Sequence, residues 1–336
     1  MSEPTAWYRR LVVATACLTF VVVVVGAYVR LMDAGLGCPD WPGCYGEITP
    51  AQAQAAIGQA VQAQGGEHGP VSLRKAWKEM VHRYLAGVLG LLILAITVAA
   101  WRGRRALGQS PALATTLLGV VVFQAALGMW TVTLLLKPVI VTLHLAGGMT
   151  TLALIAWLAL RELGAPPAPA AAAARLHPWA VAGLAVVGAQ IVLGGWVSSN
   201  YAALACVDFP TCHGVWVPDM DFRHGFQVQR ELGRTADGGH LAYEALTAIH
   251  WTHRLGALVT FLFVGGLAIA LVRRGAALYG AALGAVLVLQ VGLGIANILA
   301  GLPLAVAVAH NAVAALLLVT LVVINFGLSR RTSIFR

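Results

Sequence analysis

A chain of 336 residues that is 59% hydrophobic and 10% charged, with a mean hydropathy of +0.80, cannot be a water-soluble globular domain and reads as a membrane protein. Its formal net charge of +9 is sorted by connection rather than gathered on a nucleic-acid-binding face. One set of connections holds Arg9, Arg10, Arg102, Arg104, Arg105, Arg161, Arg175, Arg273, Arg274, Arg330, Arg331 and Arg336 against only Glu3 and Glu162, while the other holds seven Lys/Arg and eleven Asp/Glu; this positive-inside pattern puts both termini in the cytoplasm and leaves no role for nucleic acid.

Eight apolar runs of roughly membrane-spanning length follow one another, at 11–31, 82–101, 112–136, 141–160, 178–198, 249–272, 276–299 and 304–328. The first follows two arginines and ends in Tyr28-Val29-Arg30 without a small-residue cleavage site, so it reads as a retained helix rather than a signal peptide. The first outer loop, 33–78, contains Cys38 and Cys44 and then an Ala/Gln-rich run from Pro50 to Gln64 suited to an amphipathic helix on the membrane surface. The second span opens on Glu79-Met80-Val81-His82-Arg83, and the fourth carries His144 just after the short turn at Lys137-Pro138. A Pro/Ala-rich linker, Ala165 to Ala174, is expected to have little order and to act as a tether. The second outer loop, 199–248, contains Cys206 and Cys212. It leads into His250-Trp251-Thr252-His253-Arg254, and His310 follows the turn at Gly301-Leu302-Pro303.

These features repeat. Gly26-Ala-Tyr-Val29 and the Cys38–Cys44 segment recur 168 residues later as Gly194-Gly-Trp-Val197 and the Cys206–Cys212 segment. His82-Arg83 recurs as His253-Arg254, Gln124-x3-Gly128 as Gln290-x3-Gly294, and His144 as His310. Four spans per copy is an even number, so both copies point the same way, with the symmetry axis along the membrane normal. The predicted fold is therefore an all-α membrane protein of eight transmembrane helices in two tandem four-helix bundles, 1–164 and 178–336, joined by a linker at 165–177.

Ionisable side chains within hydrocarbon are costly and mark a site by default. Any one histidine here is as readily a hydrogen-bonded core residue. Four at duplicated, matched depths on alternate helices suit bis-histidine haem ligation, on His82/His144 and on His253/His310. Zinc at Glu79-x2-His82 or His250-x2-His253 is the rival, but each site lacks a third convergent ligand. Glu79 breaks the symmetry, because its counterpart is His250. A carboxylate one turn from an axial histidine can take a proton or steady a cation; the plainer reading pairs it with Lys75 or Lys78. Arg83 and Arg254 are candidates for haem propionates or for snorkelling to the surface. Trp41, Trp101, Trp179, Trp196 and Tyr28 read as interface anchors, and Cys17 as inert packing. The pairs Cys38/Cys44 and Cys206/Cys212, in outer loops, read as disulfides rather than structural zinc sites; each closes a small ring that holds a loop over the site, with a redox role open.

At these residues the chain resembles the haem A synthase family, in its cysteine-containing bacterial type. The match runs over essentially the whole length: eight spans in two halves, the Glu-x2-His-Arg at 79–83, the His-Arg at 253–254, His144 and His310, and Gly-Leu-Gly-Cys-Pro-Asp-Trp-Pro-Gly-Cys-Tyr-Gly at 35–46. The resemblance implies oxidation of the C8 methyl of haem O to a formyl group by successive hydroxylations, giving haem A for terminal oxidases. It further implies haem b on His253 and His310, the substrate haem facing His82 and His144, and Glu79 as the catalytic carboxylate. The implied setting is the bacterial cytoplasmic membrane and its lipid, with the cysteine loops outside. Implied partners are haem O synthase, the terminal oxidase assembly machinery and an unidentified electron acceptor, and a homo-oligomer is compatible. A di-haem b-type, quinol-linked electron-transfer subunit would use the same histidines without needing Glu79; a parallel-repeat transporter would need neither.

Overall fold

Hydrocarbon offers the backbone no hydrogen-bond partner, so a chain with eight apolar runs can cross a bilayer only as helices or a closed barrel. In the computed structural model, which describes residues 3–66, 71–166 and 168–329, the regular elements are all helical. They are α1 (Glu3–Leu31), α2 (Gln54–Ala63), α3 (Leu73–Arg102), α4 (Arg104–Leu107), α5 (Ala112–Thr133), α6 (Pro138–Leu163), α7 (Ala170–Ser199), α8 (Phe222–Gly225), α9 (Tyr243–Arg273), α10 (Ala277–Leu299) and α11 (Leu304–Ser329). Eight of these, α1, α3, α5, α6, α7, α9, α10 and α11, are long and apolar enough to cross a membrane, which makes the chain a multi-pass membrane protein. Arg330, Arg331 and Arg336, counted above among the basic residues, lie outside the described residues.

Five of the spans, α1, α3, α6, α7 and α9, begin earlier than their apolar runs, and α3 and α9 do so by six residues or more on the side of the cysteine loops. Ser72 caps α3, its hydroxyl accepting from the Lys75 amide at 3.2 Å, and α9 starts at Tyr243. Their first two turns carry Arg74, Lys75, Lys78 and Glu79, or Glu244, which hydropathy counts as loop although they form helix. His82 therefore stands nine residues into its helix rather than at its start.

The Ala/Gln-rich run does fold as α2. Its buried Ile57 packs into a small core with Ala53, Val71, Ala76, Met80 and the Cys38–Cys44 bridge, so its apolar side serves the loop's own interior. The linker is shorter than expected: the chain is helical from Ala170, because five consecutive alanines are the best helix formers available. Pro178 is accommodated inside that helix.

The chain divides into two compact units, Met1–Thr151 with Arg230–Leu232, and Leu152–Gln229 with Gly233–Arg336. Within the first, α1 packs on α3 and α3 on α5. Within the second, α7, α9, α10 and α11 pack in a closed ring around Leu176, Val187, Val264, Leu271, Leu283 and Leu321. Lipid tails are as apolar as these side chains, so the ring is held by close packing and interhelical hydrogen bonds rather than by escape from water. Gly280 shows the closeness: a Cβ there would stand 2.5 Å from the Ala268 carbonyl oxygen. Asn325 adds a bond across the ring, donating to the Ala180 carbonyl at 3.0 Å.

Both cysteine pairs form disulfides, Cys38–Cys44 and Cys206–Cys212. The two loops share their backbone plan. Cys44 pairs with Glu47 and Cys212 with Val215 in isolated antiparallel bridges. Tyr45-Gly46 and His213-Gly214 both take positive φ, and an aspartate caps each turn. Asp40 accepts from the Tyr45 and Gly46 amides at 2.6 and 2.7 Å, Asp208 from the His213 and Gly214 amides at 2.8 and 3.0 Å.

Candidate functional site

The spans pair as four hairpins, α1 with α3, α5 with α6, α7 with α9 and α10 with α11, and each puts a histidine of its second helix against a glycine of its first. A Cβ added at Gly26 would stand 2.9 Å from His82 Cε1, and one at Gly128 3.2 Å from His144 Cε1. At Gly194 and Gly294 it would stand 3.1 Å from the Cε1 atoms of His253 and His310. Each imidazole thus lies in a notch that only glycine provides. The notch reappears four times, although residue types alone showed the repeat only by halves.

His144 lies within electrostatic reach of His82, and His253 of His310, so each unit brings its two imidazoles together. Ring nitrogens remain uncommitted: Nδ1 of His82, His144 and His310 is buried without a hydrogen-bond partner, a costly state for a polar atom in an apolar bundle. Among the described residues no three His, Cys, Asp or Glu side chains converge as an ion would require. Paired imidazoles seated on glycine, with free nitrogens and no third ligand, fit the two axial positions of a haem and do not fit tetrahedral zinc.

Glu79 and His250 hold equivalent places and do equivalent work. Both are 4% exposed. Glu79 Oε2 accepts from the Cys38 amide at 2.9 Å, and His250 Nδ1 accepts from the Cys206 amide at 3.2 Å. Each thereby ties the first cysteine of its loop to the helix below. The approach is tight, since a Cβ on Gly37 would stand 2.7 Å from the Ala76 amide nitrogen. Glu79 Oε1 is ion-paired with Arg83 Nη2 at 2.5 Å, so its partner is the arginine one turn on rather than Lys75 or Lys78. Lys78 instead stands 5.5 Å over the Tyr28 ring. In the loop above, burial pushes the Tyr45 phenol up, and the charges of Asp40 and Glu79 push it further.

The two arginines expected at propionates are directed at the loops. Arg83 Nη1 donates to the Asp40 and Gly43 carbonyls at 2.8 and 2.5 Å. Arg254 Nη1 donates to the Thr211 carbonyl at 2.8 Å, and its Nη2 to those of Cys206 and Asp208 at 2.9 and 2.8 Å. A rigid fork of donors suits a cluster of carbonyls, and the carbonyls come from some forty residues upstream, where sequence spacing gives no sign of them. Two lesser expectations also change. Trp196 is buried, donating to the Gly225 carbonyl at 2.9 Å, and is no interface anchor; Cys17 is exposed on α1 rather than packed.

Three glutamines one turn before the seating glycines also belong to the site. Gln124 Nε2 donates to the His144 carbonyl at 2.6 Å. Gln190 Nε2 lies 3.0 Å from both the carbonyl oxygen and Nδ1 of His253. Gln290 Nε2 lies 3.2 Å from His310 Nε2. The Gln-x3-Gly spacing of two of them was visible as a repeat but carried no assigned role.

A family model described as cytochrome oxidase assembly protein, COX15-CtaA, matches residues 9–322. The chain belongs to the COX15-CtaA family. It is 42% identical over 329 residues to the heme A synthase of Shewanella oneidensis, with 97% of each chain covered. Similarity to the heme A synthase of Caulobacter sp. strain K31 is 30% over 95% of this chain and 94% of that one. The heme A synthase of Rhizorhabdus wittichii is 28% identical over 94% and 92%. The COX15-CtaA match takes in all four histidines, both cysteine loops and Glu79, so the geometry above lies wholly within the matched residues.

Proposed function

We propose that this chain is a haem A synthase, oxidising the C8 methyl of haem O to a formyl group by successive hydroxylations and so producing haem A for terminal oxidases. The observation that carries this reading is the unequal duplication. Two histidine pairs sit on matching glycine seats, and only the first has a carboxylate where the second has an imidazole. Family membership supports the same activity.

His253 and His310 hold a resident haem b, and His82 and His144 hold haem O as the substrate. Bound haem supplies the electron-transfer capacity that oxidising a methyl group requires, with the electrons leaving to an external acceptor. The chain's own groups do the rest. The Gly26, Gly128, Gly194 and Gly294 notches set the depth of each imidazole. Arg83 and Arg254 clamp the cysteine loops over the helix ends and exclude water. Glu79 is the catalytic carboxylate. Its Oε2 accepts from the Cys38 amide and its Oε1 from Arg83, with the Gly37 amide a further donor to the carboxylate. The fixed negative charge steadies positive charge developing at the methyl carbon, and the carboxylate takes the proton of the water that captures it. Both termini lie in the cytoplasm and the cysteine loops on the outer face. Haem O synthase is the supplier of the substrate, and the terminal oxidase assembly machinery the consumer of the product.

Co-expression with a haem O synthase followed by pigment extraction tests the reading. Haem A is expected in the extract beside haem b, and haem O in place of haem A when Glu79→Ala replaces the native chain. Haem b without haem A in the native extract would overturn the assignment in favour of a di-haem electron-transfer subunit.

A further inference from the structure

The four hairpins are alike in their glycine seat and unlike one turn above it. Gln124, Gln190 and Gln290 stand four residues before Gly128, Gly194 and Gly294, and each reaches across its hairpin to the histidine it faces. Four residues before Gly26 the residue is Val22, buried at 8% exposure and unable to donate or accept. His82 Nδ1 has no hydrogen-bond partner. His82 therefore sits on its glycine seat with no glutamine across the hairpin, where His253 and His310 have one at the ring and His144 has one at its main-chain carbonyl.

The distribution is not symmetrical between the two pairs. In the second unit both histidines are tethered, His253 by Gln190 and His310 by Gln290. In the first, Gln124 holds only the main-chain carbonyl of His144, and His82 has no such glutamine. An axial imidazole is oriented by the hydrogen bonds around it, and losing such a partner weakens the hold on the metal. A resident cofactor calls for two firm ligands, whereas a haem that must enter as substrate and leave as product calls for one that yields.

Resting on the haem assignment above, we infer that Val22 makes His82 the exchangeable ligand. The His82 side of the first site opens to admit haem O and release haem A, while His144, whose helix backbone is braced by Gln124, keeps its place. Gln124, Gln190 and Gln290 are positioning residues acting through the histidines; they do not touch the reacting methyl.

The experiment gives the first hairpin the tether it lacks. Purified full-length protein loaded with haem O, native or Val22→Gln, is mixed with excess apomyoglobin in detergent, and haem transfer is followed optically. Val22→Gln is expected to slow the loss of haem O about fivefold, the factor one buried hydrogen bond supplies. It is also expected to narrow the low-spin electron paramagnetic resonance signal of that haem, because a tethered ring holds a single orientation; a mutation that merely altered packing would not narrow it. An unchanged transfer rate would overturn the proposal. Should Val22→Gln assemble without haem O, the reciprocal Gln190→Val decides. Faster loss of the second haem supports the proposal, and an unchanged rate overturns it. The underlying assignment fails separately, if His82→Ala binds haem O as tightly as the native chain.

Discussion

The two cysteine loops share one plan and differ in the residue that ties each to its helix. Both are clipped by a disulfide, turned on a capping aspartate, clamped by an arginine and tied to the helix below through the amide of the first cysteine. The acceptor of that last bond is a carboxylate in one, Glu79 Oε2, and an imidazole in the other, His250 Nδ1. Holding the loop therefore does not require a carboxylate, since a neutral ring nitrogen suffices. Whatever Glu79 adds is charge and proton affinity, which the second copy lacks.

Exchanging the two acceptors is the strongest way to break this comparison. Glu79→His keeps an acceptor for the Cys38 amide and removes the negative charge. Haem A formation is expected to fall a hundredfold or more, the span lost with a catalytic acid–base group, while both haems stay bound. His250→Glu, the converse, puts a second carboxylate in the other half and is expected to cost far less. Turnover assays with haem quantified by pyridine haemochrome separate the two. Equal losses would mean that both residues serve only to hold the loops.

Reduction of the disulfides sharpens it next. Each closes a ring of seven residues, and chain-entropy arguments put the stabilisation at about 2–2.5 kcal/mol per bond. Cys38→Ser and Cys206→Ser should therefore loosen their loops to the same extent in hydrogen exchange. Lower activity of Cys38→Ser at equal loop opening would follow from the bond between the Cys38 amide and Glu79, and equal activities would break the comparison.

Much of this architecture is legible in the residues because a bilayer permits so few solutions. The apolar runs locate eight spans, and duplication picks His82, His144, His253 and His310 out of ten histidines. The helix starts at Leu73 and Tyr243 escape such a reading because polar first turns look like loop. The duties of Arg83 and Arg254 escape it because their acceptors are main-chain carbonyls some forty residues away, which carry no residue-type signature. The Gln190-x3-Gly194 spacing was there to be found, but its partner in the first copy, Val22-x3-Gly26, has lost the glutamine, so comparing halves passes over it.

The smallest difference between the loops gives the subtlest test. Asp208 accepts a third bond, from the Thr211 hydroxyl at 2.6 Å, which with the turn amides holds its carboxyl well below the usual carboxylate range. The first loop has Gly43 at that point, and cannot have more, because a Cβ there would stand 2.5 Å from the Glu47 carbonyl oxygen. A carboxyl depressed in the folded state contributes stability that is fully present above its unfolded value, near 3.9, and is lost as pH falls through its folded value. The second loop should accordingly keep its turn as pH drops through about 4 and open only in stronger acid. Thr211→Gly, which brings its composition to that of the first loop, should move the opening to higher pH with little effect at neutrality. Trp216, 67% exposed in the same loop, offers a fluorescence reporter. An acid transition that stays where it is in Thr211→Gly would mean that the amides of His213 and Gly214 carry the cap unaided.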